Sequence, residues 1–289
     1  MISDHSSELA IYRTIELKLR SLKRIFQGEF VSKNLSSWAD ALTLARKQVQ
    51  SRPQLSHEVQ LSRAEAYTIQ ELGIEHRIHD KENVVGYKMG LTSEAKRQQM
   101  NLDSPLYGVL TDRMQIENKG TFSLKNSIHA KIEPEVAFLI SQDLKGKVTR
   151  EDVLRSCTGV CACLEILDSR YDHFKYFSME DVIADNSSSS YFVHGPWVTD
   201  FKKMDLINLK MKMKVNGVVA QEGISKDISG DPVQSVIQLC ELLAERNRHL
   251  PARSIVLAGA ATTAVNLEDG QHIELEVDSL EPVHIHVKG

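Results

Sequence analysis

Ile11, Ile15, Leu19, Leu22, Ile25 and Phe26 recur at helical spacing among Arg13, Lys18, Arg20, Lys23 and Arg24, with Gly28 as a stop. That pattern predicts a basic amphipathic helix over residues 11–26. Such a face can touch a membrane or a partner, but packing on its own domain or on another subunit is the simpler reading. A second helix is expected from Ser36 or Ser37 through Trp38, Ala41, Leu42 and Ala45. Ser62 followed three residues later by Glu65 is a capping-box pattern, opening a third helix through Tyr67, Ile69 and Leu72. Residues 1–80 thus read as a helical region.

From Val84 onward the texture changes to short apolar runs broken by Gly, Asn and Asp. Leu209 to Val215 alternates with period two and runs into Asn216-Gly217, the strongest short-range signal for a hairpin. One helix interrupts this region: Asp231 is its cap, Pro232 its first residue, and Val233, Val236, Ile237, Cys240 and Leu243 line one face. Further strands are expected at Ser254 to Ala258, His272 to Val277 and Val283 to Val287. The chain therefore reads as α+β, helical over residues 1–80 and β-rich over 81–289, with no internal repeat and no flexible linker.

Composition narrows the function classes. The 289 residues are 42% hydrophobic and 26% charged, ordinary for a globular chain. Lys and Arg total 35 against 39 Asp and Glu, a formal charge of −4, so no basic field is present to hold nucleic acid. Four cysteines do not make a disulfide framework. No basic-then-apolar leader opens the chain, and no stretch approaches about 18 apolar residues. The expectation is a soluble, cytoplasmic protein bound to neither nucleic acid nor membrane.

The candidate chemistry begins on an expected strand, Lys131 to Ile140. Residues two apart share a strand face, so Glu133 and Glu135 point the same way. Side-by-side carboxylates repel unless solvent or a cation relieves them, and either a solvated edge pair or a cation site satisfies the spacing. Some 30 residues on, Val160 to Leu167 is another apolar run on which Cys161, Cys163 and Glu165 share a face. A carboxylate within a buried strand is costly unless paired or metal-bound. Three glutamates from two strands suit a hard ion such as Mg²⁺ or Mn²⁺. The cysteines lack zinc-site spacing and read as small buried apolar residues. Lys88, between Gly86 and Gly90, can bring its ammonium to a carboxylate or an oxyanion. Asp168 to Tyr171 and Ala184 to Ser188 concentrate polar groups at strand ends, where both Asx turns and functional loops occur.

Taken in order, GYKMGLTSEAKRQQM, PLYGVLTDRM, IHAKIEPEVAF, GVCACLEILDSRYDHFKYF, VIADNSSSSYFVHG and VLAGAATTAV resemble the fumarylacetoacetate hydrolase superfamily, within it the branch of 2-hydroxypenta-2,4-dienoate hydratases and 4-oxalocrotonate decarboxylases. The match spans roughly residues 40–289. It implies a β-rich fumarylacetoacetate-hydrolase-like C-terminal domain with Mg²⁺ or Mn²⁺ on Glu133, Glu135 and Glu165. It further implies catalytic Lys88 and Asp185, with Ser188, Arg170 and Thr262 at the substrate, and activity on a 2-oxo acid from aromatic meta-cleavage. Ala130 and Ala260 depart from the family pattern, standing where a proline and a glycine are usual; the second bears on substrate choice near Thr262. The motif wording is nearer the decarboxylases, which act on 2-oxo-3-hexenedioate, than the hydratases. A homo-oligomer, and a complex with a cognate hydratase through residues 11–26, are expected as well.

Overall fold

The computed structural model describes residues 34–93, 104–174 and 178–289; the expected helix at 11–26 lies outside them. Helix α1 runs Leu35–Gln48 and α2 Arg63–His79. At the start of α2, Ser62 accepts from the Glu65 backbone N–H while Glu65 reaches back to the Ser62 N–H, the reciprocal cap expected of that sequence.

Strands β1 (Val84–Gly90), β2 (Leu106–Thr111), β4 (Lys131–Ile140), β5 (Cys157–Leu167), β6 (Ser189–His194) and β9 (Ile255–Ala260) form one sheet in the order β2-β1-β9-β4-β5-β6, with the two-residue β10 (Val265–Asn266) pairing on β4. All its pairings are antiparallel except β1 with β9. The central strands β4 and β5 are buried along almost their whole length, which is why they read as continuous apolar runs rather than alternating ones. The β4–β9 register shifts between Glu135 and Ala137, next to Pro134, which has no N–H to give a ladder. The sheet is curled: β2 and β6, the two ends of its path, come into contact.

A second sheet has the order β3-β12-β11-β7-β8, with β3 Thr121–Ser123, β7 Lys210–Val215, β8 Val218–Ile224, β11 His272–Val277 and β12 Val283–Lys288. Strands β7 and β8 are the expected hairpin, with Asn216 and Gly217 at positive φ. Here apolar and polar positions do alternate. Met211, Met213, Ile273, Leu275, Val283 and Ile285 face inward, and β11 and β12 lie against β5 and β6 of the first sheet.

Helix α5 (Pro232–Glu245), capped by Asp231 as expected, covers β9. Two short helices escape the periodicity reading: α3 (Arg150–Ser156) and α4 (Met179–Ala184) each make less than two turns, too little for a 3.6-residue repeat to register. Residues 36–289, helices and both sheets included, form one compact unit. Among the described residues no helix is long and apolar enough to cross a membrane.

Candidate active site

Strands β4 and β5 pair so that Glu133 faces Glu165 directly and Glu135 faces Cys163. The pleat puts all three glutamates on one face, and a carboxylate oxygen from each lies within 4.8 Å of the others. Glu135 and Glu165 are fully buried and Glu133 half-buried. Burial and mutual repulsion push the Glu135 and Glu165 carboxyls above the usual carboxylate range.

Two cationic or donor groups relieve this cluster in part. Lys88, third from the C-terminal end of β1, brings Nζ to 3.1 Å from each oxygen of Glu165. The Gly259 N–H donates to Glu135 Oε2 at 2.7 Å, while Glu135 Oε1 is buried with no hydrogen-bond partner among the described residues. A buried carboxylate oxygen without a donor asks for a cation. The donor set is all oxygen, from three acidic groups, which is the chemistry a hard divalent ion takes. The site fits Mg²⁺ or Mn²⁺.

Lys88 and Glu133 open into a cavity of about 240 Å³ whose walls include Leu106, Leu167, Phe174 and Val182. Ser187 and Ser188 line it too. They stand in a turn where Asn186, Ser187 and Ser188 all have φ near +50°, a strained run costing of order 1–3 kcal/mol per residue. Asn186 holds that turn to β2, its side chain accepting from Val109 N–H at 2.8 Å and donating to Val109 O at 3.0 Å.

Of the site residues expected from sequence, Lys88, Glu133 and Ser188 line this cavity. Asp185 and Arg170 are turned toward each other instead. The Arg170 backbone N–H and Nε both donate to the Asp185 carboxylate, and its guanidinium also donates to the backbone oxygens of Asp168, Asp185 and Ser189. A buried guanidinium needs such compensation, so Arg170 is spent on fixing the turn from behind. Thr262 lies beyond the lining residues; its hydroxyl donates to Thr263 O at 3.3 Å, and Ala260 forms the wall there.

Two positions that contact the cavity or the glutamate trio were not singled out from sequence. Lys131 lines the cavity, with Nζ 4.6 Å from the centre of the Phe174 ring. It shares the parity of Glu133 and Glu135 on β4, and that was its signal. Gly259 has φ +107° and abuts the Thr92 side chain where a Cβ would stand. Only glycine adopts this backbone readily, and the conformation aims its N–H at Glu135.

The family model described as fumarylacetoacetate (FAA) hydrolase C-terminal matches residues 81–288. A 4-oxalocrotonate decarboxylase of Pseudomonas sp is 39% identical over 246 residues, 85% of this chain and 95% of that protein. A 2-hydroxyhexa-2,4-dienoate hydratase of Comamonas testosteroni is 34% identical over 69% of this chain and 76% of its own. Among solved structures, the 4-oxalocrotonate decarboxylase from Pseudomonas putida G7, complexed with magnesium and adipate, superposes with a TM-score of 0.85 at 31% identity, covering 89% of this chain and 98% of that one.

Proposed function

The chain belongs to the fumarylacetoacetate hydrolase family, and on that premise we propose that it is a divalent-metal-dependent decarboxylase. It converts 2-oxo-3-hexenedioate (4-oxalocrotonate) to 2-hydroxypenta-2,4-dienoate and CO₂ in aromatic meta-cleavage catabolism. The observation that carries this reading is the carboxylate trio on β4 and β5 beside Lys88, with Glu133 and Lys88 lining a cavity that also holds a second lysine.

Glu133, Glu135 and Glu165 hold the ion. When bound, Mg²⁺ or Mn²⁺ supplies a Lewis acid and a template for the carboxylate and carbonyl of a 2-oxo acid. The chain's own residues do the rest. Loss of CO₂ from C5 releases an electron pair that runs through the C3–C4 double bond to the C2 oxygen, and Lys88 is the proton donor at that oxygen, which leaves as the enol hydroxyl of the product. Lys131 is a second cation for a substrate with two carboxylates. Leu106, Leu167, Phe174 and Val182 keep water from the reacting carbons. Ser188 contacts the substrate, while Asp185 acts through Arg170 by holding the 185–189 turn, a positioning role. Thr262 shapes the pocket from behind Ala260.

The catalytic part is taken as residues 81–289. Self-association, a complex with a cognate hydratase through residues 11–26, and a cytoplasmic setting complete the proposal. They rest on the family resemblance, on the basic amphipathic pattern and on four free thiols. Deleting residues 1–40 should reduce capture of that hydratase.

The deciding experiment incubates the Mg²⁺-loaded protein separately with 2-oxo-3-hexenedioate and 2-hydroxypenta-2,4-dienoate, following CO₂ release and loss of the dienol absorbance. CO₂ release that disappears in Glu133→Gln and Glu165→Gln, with circular dichroism unchanged, supports the decarboxylase. Water addition to the dienol with no CO₂ would make the protein a hydratase of the same branch.

A further inference from the structure

Away from the catalytic cavity, Arg46 on α1, Arg77 on α2 and Arg170 after β5 line a cleft of about 370 Å³, and the same three line a narrower pocket beside it. Their compensation is uneven. Arg77 Nη1 donates to Glu82 Oε2 at 3.0 Å, and Arg170 pairs with Asp185. Among the described residues, Arg46 Nη2 is buried with no hydrogen-bond partner.

The nearby acids are committed elsewhere. Glu82 also accepts from Thr111. Asp168, on the cleft wall, receives the backbone N–H groups of Ile128 and His129, at 3.0 and 2.6 Å to Oδ1. Asp80 is held by Lys47 at 2.7 Å on the surface. Arg113 adds another cation to the lining. Burial and the two neighbouring guanidiniums push Arg46 down to about 10, the direction expected when like charges gather without an anion. A half-buried guanidinium left this way is costly to the fold, and a solvent-facing rotamer would relieve it.

We propose that this cleft is a second ligand site, separate from the catalytic cavity, where Arg46 and Arg77 clamp a small oxoanion, a phosphate or a carboxylate, while Arg170, already held by Asp185, adds only its charge to the wall. The guanidinium fork matches the paired oxygens of either anion, and convergent arginines are the usual means of holding them. The cleft has room for an anion of that size. The lining carries more cations, Arg46, Lys47, Arg77, Arg113 and Arg170, than acids, Glu82 and Asp168, a balance that an anion restores.

The test titrates Mg²⁺-loaded protein calorimetrically with inorganic phosphate and, in a separate arm, with succinate. We expect one saturable site for at least one of them, and the tighter arm assigns the ligand class. Arg46→Gln should weaken that binding at least tenfold, and Arg46→Lys, which keeps the charge but loses the fork, by an intermediate factor. Turnover in anion-free buffer should match the parent in both. The parent's Tm should rise with the anion, and that of Arg46→Gln should not. No saturable binding of either anion at 10 mM, or an isotherm unchanged by both Arg46 substitutions, overturns the proposal. The second result would place the anion at the catalytic cation.

Discussion

Lys88 Nζ lies 3.1 Å from both carboxylate oxygens of Glu165, although β1 and β5 are separated in the sheet by β9 and β4. Flat strands spaced about 4.8 Å apart would keep these side chains from meeting. They meet because the sheet curls until β2 touches β6, and the cavity beside them is lined from β1, β2, β4, β5 and β9. The fold thus makes a cation and an anion neighbours within a region that excludes water.

Replacing that cation separates two roles. Lys88→Met removes the proposed proton donor, and turnover should fall by about 10²- to 10⁴-fold, the range of a positioned general acid. It also removes a positive charge beside the carboxylate trio, so affinity for Mg²⁺ should rise rather than fall. Steady-state kinetics with a calorimetric Mg²⁺ titration checks both. Weaker Mg²⁺ binding in the variant would mean that Lys88 shapes the carboxylates instead of opposing the ion.

Removing the metal should cost stability as well as activity. Among the described residues Glu135 Oε1 has no donor, so a bound cation stabilises the folded chain and has no comparable site in the unfolded one. At 100 times its dissociation constant a ligand adds about 2.7 kcal/mol. For a chain of 289 residues that is a Tm change of roughly 4–5 °C. Scanning calorimetry after EDTA treatment, then after Mg²⁺ is restored, should show the loss and its reversal. Glu135→Gln should show neither shift.

Much of the site was legible because strand parity is a local property. Glu133 and Glu135 share a face whatever the rest of the chain does, and the uninterrupted apolar character of Val160 to Leu167 marked a buried strand carrying a glutamate. The same parity marked Lys131, which went unremarked because a lysine at a strand end reads as solvated. Sheet curl, and with it the reach of Lys88 to Glu165, depends on long-range pairing that no local pattern encodes. The Arg170–Asp185 pair was hidden for a related reason. Both residues stand in polar loop motifs, and only the folded turn shows that they face each other rather than the cavity.

Gly259 ties backbone conformation to the trio. At φ +107° its N–H points to Glu135 Oε2, and a Cβ there would meet the Thr92 side chain. Gly259→Ala should therefore destabilise the chain by about 1–3 kcal/mol and weaken Mg²⁺ binding together with activity. Thr92→Ala in the Gly259→Ala background removes both the hydroxyl and the methyl that crowd the new Cβ and should recover part of the stability but not the backbone strain. Thermal unfolding of the single and double variants measures the split.

The thiols give an independent measure of the same core. Cys157, Cys161 and Cys163 lie on β5 and Cys240 on α5, all free and buried. Burial pushes Cys157 up to about 11 and Cys240 up to about 12, with Cys161 and Cys163 shifted in the same direction. At pH 8 almost none of these sulfurs is a thiolate, the reactive form. A disulfide reagent should therefore modify no cysteine quickly in the native protein and all four in guanidinium chloride. Cys163 stands in register with Glu135 across the central strands, so exposing it requires opening the sheet that holds the trio. Its labelling should track global unfolding, and saturating Mg²⁺ should slow it by the factor by which Mg²⁺ raises the unfolding equilibrium. Fast labelling of Cys163 unaffected by Mg²⁺ would show that β5 opens independently of the metal site.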